Sequence, residues 1–247
     1  MARTAVRRRL SWQLATVTGV VDETPRVRTL LLELDDWQEH VAGQHLDVRL
    51  TADDGYRAAR AYSIASAPGE PPSITVERLE DGEVSPYLTE VVRAGDQFEV
   101  RGPIGGYFVW RPEDGGPLFL AAGGSGVVPL RAMLRERRQS ASTAPAKLLY
   151  SSRSIDDVIY RTELGEPDHG VEIVHTLTRS QPEGWTGYAR RVDAELLREV
   201  AWPSEDDPRA FVCGPTSFVE TVSAGLVELG YAPSNVRTER FGATGGR

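Results

Sequence analysis

The segment LFLAAGGSGVVPLRAML, residues 118–134, sets the strongest limit on what this chain can fold into. Residues 118–122 are apolar without a break, the pattern of a parallel strand buried on both faces. A glycine-rich turn follows, and then a helical stretch at 128–138. A parallel strand needs a crossover to reach its neighbour, and a helix is the usual one. The rest of the second half keeps that alternation. Strands are predicted at 147–151, 171–177, 209–212 and 235–241, and helices at 155–164, 193–200 and 216–229. Alternation of this kind predicts a doubly wound parallel α/β sheet.

The first half reads differently. Short runs rich in Val, Thr and Leu lie at 14–21 and 27–34, with a turn at 22–25 between them. Further strands are predicted at 45–50, 60–64, 73–79 and 97–101, separated by Gly, Pro and acidic clusters at 52–55, 67–72 and 93–96. Many short strands at close spacing predict a small antiparallel barrel. The one helical signal is 85–92, where Ser85 can cap, Pro86 suits the first turn and Glu90 lies inside. The stretch RPEDGGP, 111–117, reads as a linker and divides the chain into 1–111 and 117–247. Two units fit a length of 247 residues.

Composition narrows the chemistry. Cys213 is the only cysteine, so no disulfide can form within the chain and no iron–sulfur cluster can find its thiolates here. His40, His45, His169 and His175 form no metal-binding spacing, and no metal is expected. The net charge of −8 argues against general nucleic-acid binding. No apolar run approaches the roughly 20 residues of a membrane span, and the N-terminus has arginines but no secretory core, so a cytoplasmic protein is expected. Lys147 is the only lysine among 28 basic residues, as genomic codon bias would produce. The run Arg7-Arg8-Arg9 reads as a solvated end.

The glycine turn carries the first functional signal. Gly123, Gly124 and Gly126, with Ser125 among them, let the backbone approach a ligand closely. The helix that follows aims its first amides at the turn, which suits a phosphate. A tight strand-to-helix turn without a ligand is the alternative. The end of the second parallel strand bears on which nucleotide would bind: an acid favours a ribose 2′-hydroxyl, an arginine a 2′-phosphate. Here it ends Tyr150-Ser151-Ser152-Arg153, with Arg161 eight residues on. Ser152, Arg153 and Arg161 favour NADP over NAD, while Asp156 and Asp157 keep NAD open.

Five short motifs then fall into order: Arg60-Ala61-Tyr62-Ser63, Gly82-Glu83-Val84-Ser85, Gly102-Pro103-Ile104-Gly105, the GGSGVVP turn, and Cys213-Gly214-Pro215. Together they resemble the ferredoxin–NADP reductase superfamily over nearly the whole chain. The resemblance implies a Greek-key barrel that binds FAD (FMN in some members), followed by the α/β nucleotide domain. It implies that Arg60 pairs with the flavin phosphate, that Tyr62 stacks on the isoalloxazine, and that Ser63 hydrogen-bonds near its N5 atom. It also implies that Gly82, Val84 and Ser85 receive the pyrophosphate, and that Cys213, Gly214 and Pro215 lie near the nicotinamide. Thr238-Glu239-Arg240-Phe241 is similar to the Glu-x-aromatic ending of plant-type members, where the acid serves the flavin and the aromatic covers it. Six residues follow Phe241 here, so a surface acid and a core phenylalanine stay open for Glu239 and Phe241. Arg179 and Arg191 are further candidates for touching the nucleotide.

The implied activity is that of a monomeric reductase. It takes hydride from NAD(P)H onto bound FAD, with Ser63, Cys213 and Glu239 nearest the chemistry, and passes electrons to a separate one-electron acceptor. A ferredoxin or the iron–sulfur component of an oxygenase fits that role, docked on an arginine patch. The alternatives are a free-standing flavin or quinone reductase without a protein partner, and a slow flavin-binding sensor module.

Overall fold

The computed structural model describes residues 10–241. The run Arg7-Arg8-Arg9 and the residues after Phe241 lie outside them. The first half forms six antiparallel strands: β1 (Gln13–Thr24), β2 (Val27–Glu33), β3 (His45–Thr51), β4 (Arg57–Ser63), β5 (Ser73–Glu77) and β6 (Gln97–Ile104), in the order β4-β3-β6-β1-β2-β5. A bridge between Ile64 and Ile74 joins the two ends of this sheet and closes it into a barrel. Period-two alternation fills the interior: Ala15 and Val17, Leu30 and Leu32, Leu46 and Val48, Ile74 and Val76, Phe98 and Val100 are all buried. Val84, Leu88 and Val92 pack into the same core.

The expected helix at 85–92 forms over residues 85–91, and its last five residues, Tyr87–Val91, are π-helical without a side-chain cap. Pro86 precedes these five, and the Ser85 hydroxyl is engaged elsewhere, accepting from the Leu79 amide at 3.1 Å. The barrel strands also run longer than their apolar runs: β1 continues to Thr24, and β4 begins at Arg57 rather than at residue 60.

After a short turn at Pro112–Asp114, the chain alternates as expected. Strands β7 (Leu118–Gly123), β8 (Ala146–Ser152), β9 (Val171–Leu177), β10 (Arg209–Pro215) and β11 (Val236–Phe241) are parallel, in the order β11-β10-β7-β8-β9. Helices α1 (Val127–Gln139), α2 (Arg161–Leu164), α3 (Ala194–Val200) and α4 (Thr216–Glu228) accompany them. Asp193 caps α3 by accepting from the Leu196 amide at 2.8 Å. Strand β7 is buried on both faces. Leu118, Leu120 and Ala122 pack with α1 on the barrel side, while Phe119 and Ala121 pack toward α3 and α4. No helix among the described residues is long and apolar enough to cross a membrane.

The expected helix at 155–164 is a correction. It breaks into a short turn, Ile155–Asp157, and the four-residue α2, because Tyr160 adopts the left-handed conformation at φ 59°. Tyr160 is a bulky residue in a conformation that costs of order 1–3 kcal/mol. Its ring is buried, and its hydroxyl bonds Thr75 Oγ1 in the barrel. That tertiary contact overrides the local helical pattern.

Candidate functional site

Strand order reverses between β7 and β10, and a crevice opens outside the carboxyl ends of a parallel sheet at such a point. A cleft of about 1200 Å³ lies there, between sheet and barrel. Arg60, Tyr62 and Ser63 reach it from β4, with Gly82, Val84 and Ser85 beside them. Gly123, Gly124, Ser125, Ser152, Arg153, Pro215, Glu239 and Phe241 line it from the second sheet.

On the barrel wall, Ser63 is buried and its Oγ has no hydrogen-bond partner. An unpartnered buried hydroxyl is costly unless a ligand completes it. Tyr62 is half-buried against the barrel core, and burial pushes its phenol well above the ordinary range. Arg60 stands at the rim, where its guanidinium donates to Glu83 Oε2 at 2.5 Å and to the Ala59 carbonyl at 2.8 Å. Glu83 also accepts from the Tyr56 hydroxyl at 2.7 Å. The hydrogen bonds from Tyr56 and then Arg60 hold its carboxyl below the usual range. A phosphate bound at Arg60 would therefore share the guanidinium with Glu83 or displace it. Gly82 is required at its position: a Cβ there would lie 2.6 Å from Ser85 Oγ and 3.0 Å from the Leu79 carbonyl.

On the opposite wall, residues 124–126 form a single 3₁₀ turn that leads into the thirteen-residue α1. Gly124 takes φ +55°, which a larger residue would resist. At the ends of β8 and β9, Arg153 and Arg179 are brought together, the Arg179 amide donating to the Arg153 carbonyl at 2.9 Å. Arg191 joins them in the cleft. None of these three guanidiniums has a carboxylate partner among the described residues. Asp157 also faces the cleft, and its carboxylate accepts from the Ser154 hydroxyl at 2.6 Å.

Four expected site residues do not line the cleft. Arg161 is the clearest correction. The break at Tyr160 turns it outward, its side chain is 60% exposed, and its partner is Asp156 at 3.9 Å. Gly126, Cys213 and Gly214 lie one layer beneath the surface. A Cβ on Gly126 would sit 2.0 Å from the Cys213 carbonyl oxygen, and one on Gly214 would sit 3.0 Å from Gly123. These glycines allow close backbone packing under the turn. The Cys213 thiol is fully buried, and burial, then the neighbouring Glu239, push it well above its ordinary value.

Glu239 pairs in register with Cys213 across β10 and β11. Its Oε2 is buried without a partner, and burial raises its carboxyl from 4.5 to about 7. A folded-state value above the unfolded one stabilises the protonated form. The stability is full below pH 4.5 and is lost as pH rises through about 7. Glu239→Gln is thus expected to gain about 3 kcal/mol over the parent protein at pH 8 and almost nothing at pH 4. Urea melts of the cofactor-free protein at the two pH values check this; an equal gain at both would contradict it.

The cleft fits a flavin and a nicotinamide nucleotide. Four buried polar atoms of residues on its walls, Arg26 Nε, Ser63 Oγ, Ser152 Oγ and Glu239 Oε2, lack partners. At Gly123 a Cβ would meet the Phe218 ring and Pro215 at 3.0 Å, so glycine there lets the turn pack closely against them. Several cleft residues escaped the sequence reading, and three of them stand out. Phe218 on α4 is one. Another is Glu77 on β5, whose Oε2 lies 3.9 Å from where a Gly124 Cβ would stand. Arg26 is the third. They come from separate elements and carry no motif that could have announced them.

Comparison with known proteins gives two family matches. Residues 14–109 match the family model described as an oxidoreductase FAD-binding domain, and residues 120–224 match the oxidoreductase NAD-binding domain. The chain is 35% identical over 240 residues to "Ferredoxin--NADP reductase B" of Sorangium cellulosum, covering 92% of this chain and 96% of that one. It is 33% identical over 235 residues to a "Glycine betaine monooxygenase reductase subunit" of Chromohalobacter salexigens, covering 91% of this chain but only 63% of that subunit. Among solved structures, the flavohem-like FAD/NAD-binding domain of the nitric oxide dioxygenase from Vibrio cholerae superposes with a TM-score of 0.84 at 24% identity, covering 93% and 98% of the two chains.

Proposed function

The chain belongs to the ferredoxin–NADP reductase family of FAD- and NAD(P)-dependent oxidoreductases, and we propose that it takes hydride from NADPH onto FAD held in the cleft and delivers single electrons to a separate iron–sulfur carrier. The carrying observation is that one cleft brings the orphaned Ser63 hydroxyl, the glycine turn before α1 and the buried Glu239 carboxyl together.

When bound, the flavin supplies a two-electron acceptor that can release its electrons singly. The chain's own residues position and protect. Tyr62 offers a ring face and Ser63 Oγ a hydrogen bond on the barrel side. Gly82, Val84 and Ser85 present the backbone to a pyrophosphate, with Arg60 at the rim. Gly123, Gly124 and the first amides of α1 receive the nucleotide diphosphate. Burial raises the Glu239 carboxyl to about 7, so it can take up or release a proton near neutral pH. Positioning of the two rings is most of what the protein contributes.

The free guanidiniums at the ends of β8 and β9 support a 2′-phosphate partner. Arg153→Ala is expected to raise KM for NADPH about tenfold and to leave KM for NADH within twofold, as loss of one charge-assisted phosphate contact would do. Steady-state kinetics with both nucleotides checks it. An equal effect on both sinks the assignment of Arg153.

A one-electron carrier is preferred as acceptor because the relatives' names are those of a ferredoxin reductase and of a monooxygenase reductase subunit. The lone, buried Cys213 suits a reducing, cytoplasmic compartment, and a monomer is the simplest working unit. The reading is tested by adding NADPH and NADH separately to the flavin-loaded protein without air, and then either a plant-type ferredoxin or a quinone. Rapid bleaching by NADPH and faster reoxidation by the ferredoxin support it. A protein that takes up no FAD refutes it.

A further inference from the structure

We propose that Arg131, which lines no part of the cleft, is a positioning residue that sets the distance between the nucleotide turn and Ser63. This inference rests on the reading of the cleft as the hydride-transfer site. Arg131 lies on α1, five residues beyond Gly126, and its guanidinium is largely buried. Its Nη1 donates to the Ala65 carbonyl at 3.0 Å, and Ala65 is two residues beyond Ser63. Its Nε and Nη2 donate to Glu163 Oε2 at 2.9 and 2.6 Å. The same guanidinium lies over the Tyr160 ring, 4.2 Å from its centroid, and Tyr160 in turn bonds Thr75 of the barrel. One planar cation therefore holds the chain just past Ser63, the acid of α2 and the strained Tyr160 in a single geometry.

Arg135, one turn along α1, extends the clamp. It donates to Glu163 Oε1 at 2.7 Å and to Glu70 of the barrel at 2.9 Å. Burial pushes the Glu163 carboxyl up, but the two guanidiniums outweigh it and hold that carboxyl below the usual range. Elsewhere the interface is mixed: Arg237 donates to the Val109 carbonyl at 2.6 Å, Gln139 donates to Glu70 at 2.6 Å, and Phe108 packs edge-on against Phe211 at 5.5 Å. Apolar contact gives cohesion without direction, whereas a guanidinium fork fixes an angle. The covalent path from Arg131 to the glycine turn is about one and a half helical turns, and from Ala65 to Ser63 two residues. An error at the clamp therefore reaches both walls of the cleft directly.

Arg131→Met and Arg131→Lys test this beside the parent protein. A shift of about 1 Å between reacting groups can cost about 100-fold in rate. For Arg131→Met, kcat is expected to fall about 100-fold while KM for NADPH and flavin content stay within twofold. Arg131→Lys, which can reach Ala65 or Glu163 but not both, is expected to lose about tenfold. In the cofactor-free protein, amide exchange at residues 63–67 is expected to quicken tenfold in Arg131→Met, with β8 unchanged. Should Arg131→Met not fold, Glu70→Gln at the half-exposed end of the clamp carries the same test with a threefold loss of kcat. An unchanged kcat, or a loss that only follows flavin content, overturns the proposal. If the parent protein itself is not bleached by NADPH, the cleft reading fails, and this inference with it.

Discussion

Ser63→Ala is expected to slow flavin bleaching by NADPH about 100-fold and, at the same time, to leave the cofactor-free protein as stable as the parent or more so. The two halves of that result have one origin. Ser63 Oγ is buried at the end of β4 with no partner in the protein. Such a hydroxyl costs about 1–3 kcal/mol to bury, so deleting it relieves the free protein. In the role proposed for Ser63, the same hydroxyl would serve as a positioned donor at the reacting ring once flavin is bound. Loss of a single positioned donor of that kind typically costs about 100-fold or more in rate. A serine kept only for packing would lose stability or nothing. Stopped-flow bleaching and thermal melts measure the two quantities separately. A rate within threefold of the parent's would remove Ser63 from the chemistry.

Much of this site was readable from the sequence, and the reasons are local. The apolar run of β7 needs burial on both faces, and glycines after it admit few conformations other than a tight turn. Arg60, Tyr62 and Ser63 belong to a single strand, so their alternation already places Tyr62 and Ser63 on different faces. What escaped was set by contacts distant in sequence. Tyr160 breaks the helix expected at 155–164 because its hydroxyl reaches Thr75, 85 residues away, and Arg161 is carried out of the site with it. No sequence motif marks Arg131 and Arg135; only the folded chain sets Ala65, Glu70 and Glu163 against them. Glu83 likewise shows no sequence sign that it would engage Arg60. Periodicity describes which face a residue takes, and it is silent on what the opposite domain presents there.

Gly126→Ala is expected to cost about 3–5 kcal/mol and to abolish NADPH binding before it abolishes flavin binding. Backbone conformation gives no reason for that loss. Gly126 sits at φ −60° and ψ −13°, where alanine is comfortable and where Gly→Ala would ordinarily stabilise by about 0.4–1 kcal/mol through the unfolded state. The cost is steric. A Cβ would stand 2.0 Å from the Cys213 carbonyl oxygen, 2.4 Å from its carbon and 2.8 Å from the Gly214 amide nitrogen. All three are backbone atoms of β10, which is held on one side by β7 and on the other by β11. Neither strand nor turn can yield by the ångström or more required without breaking ladder hydrogen bonds. The start of α1 must therefore lift away from the sheet, and the glycine turn moves with it, while the barrel wall stays in place. Gly106→Ala is the control: nothing lies within 4 Å of its Cβ position, so its effect should stay within about 0.5 kcal/mol. Chemical denaturation of both variants, with flavin and nucleotide titrations on the folded fractions, gives the comparison. Equal stability for the two would mean that α1 is not seated on β10 as closely as the structure places it.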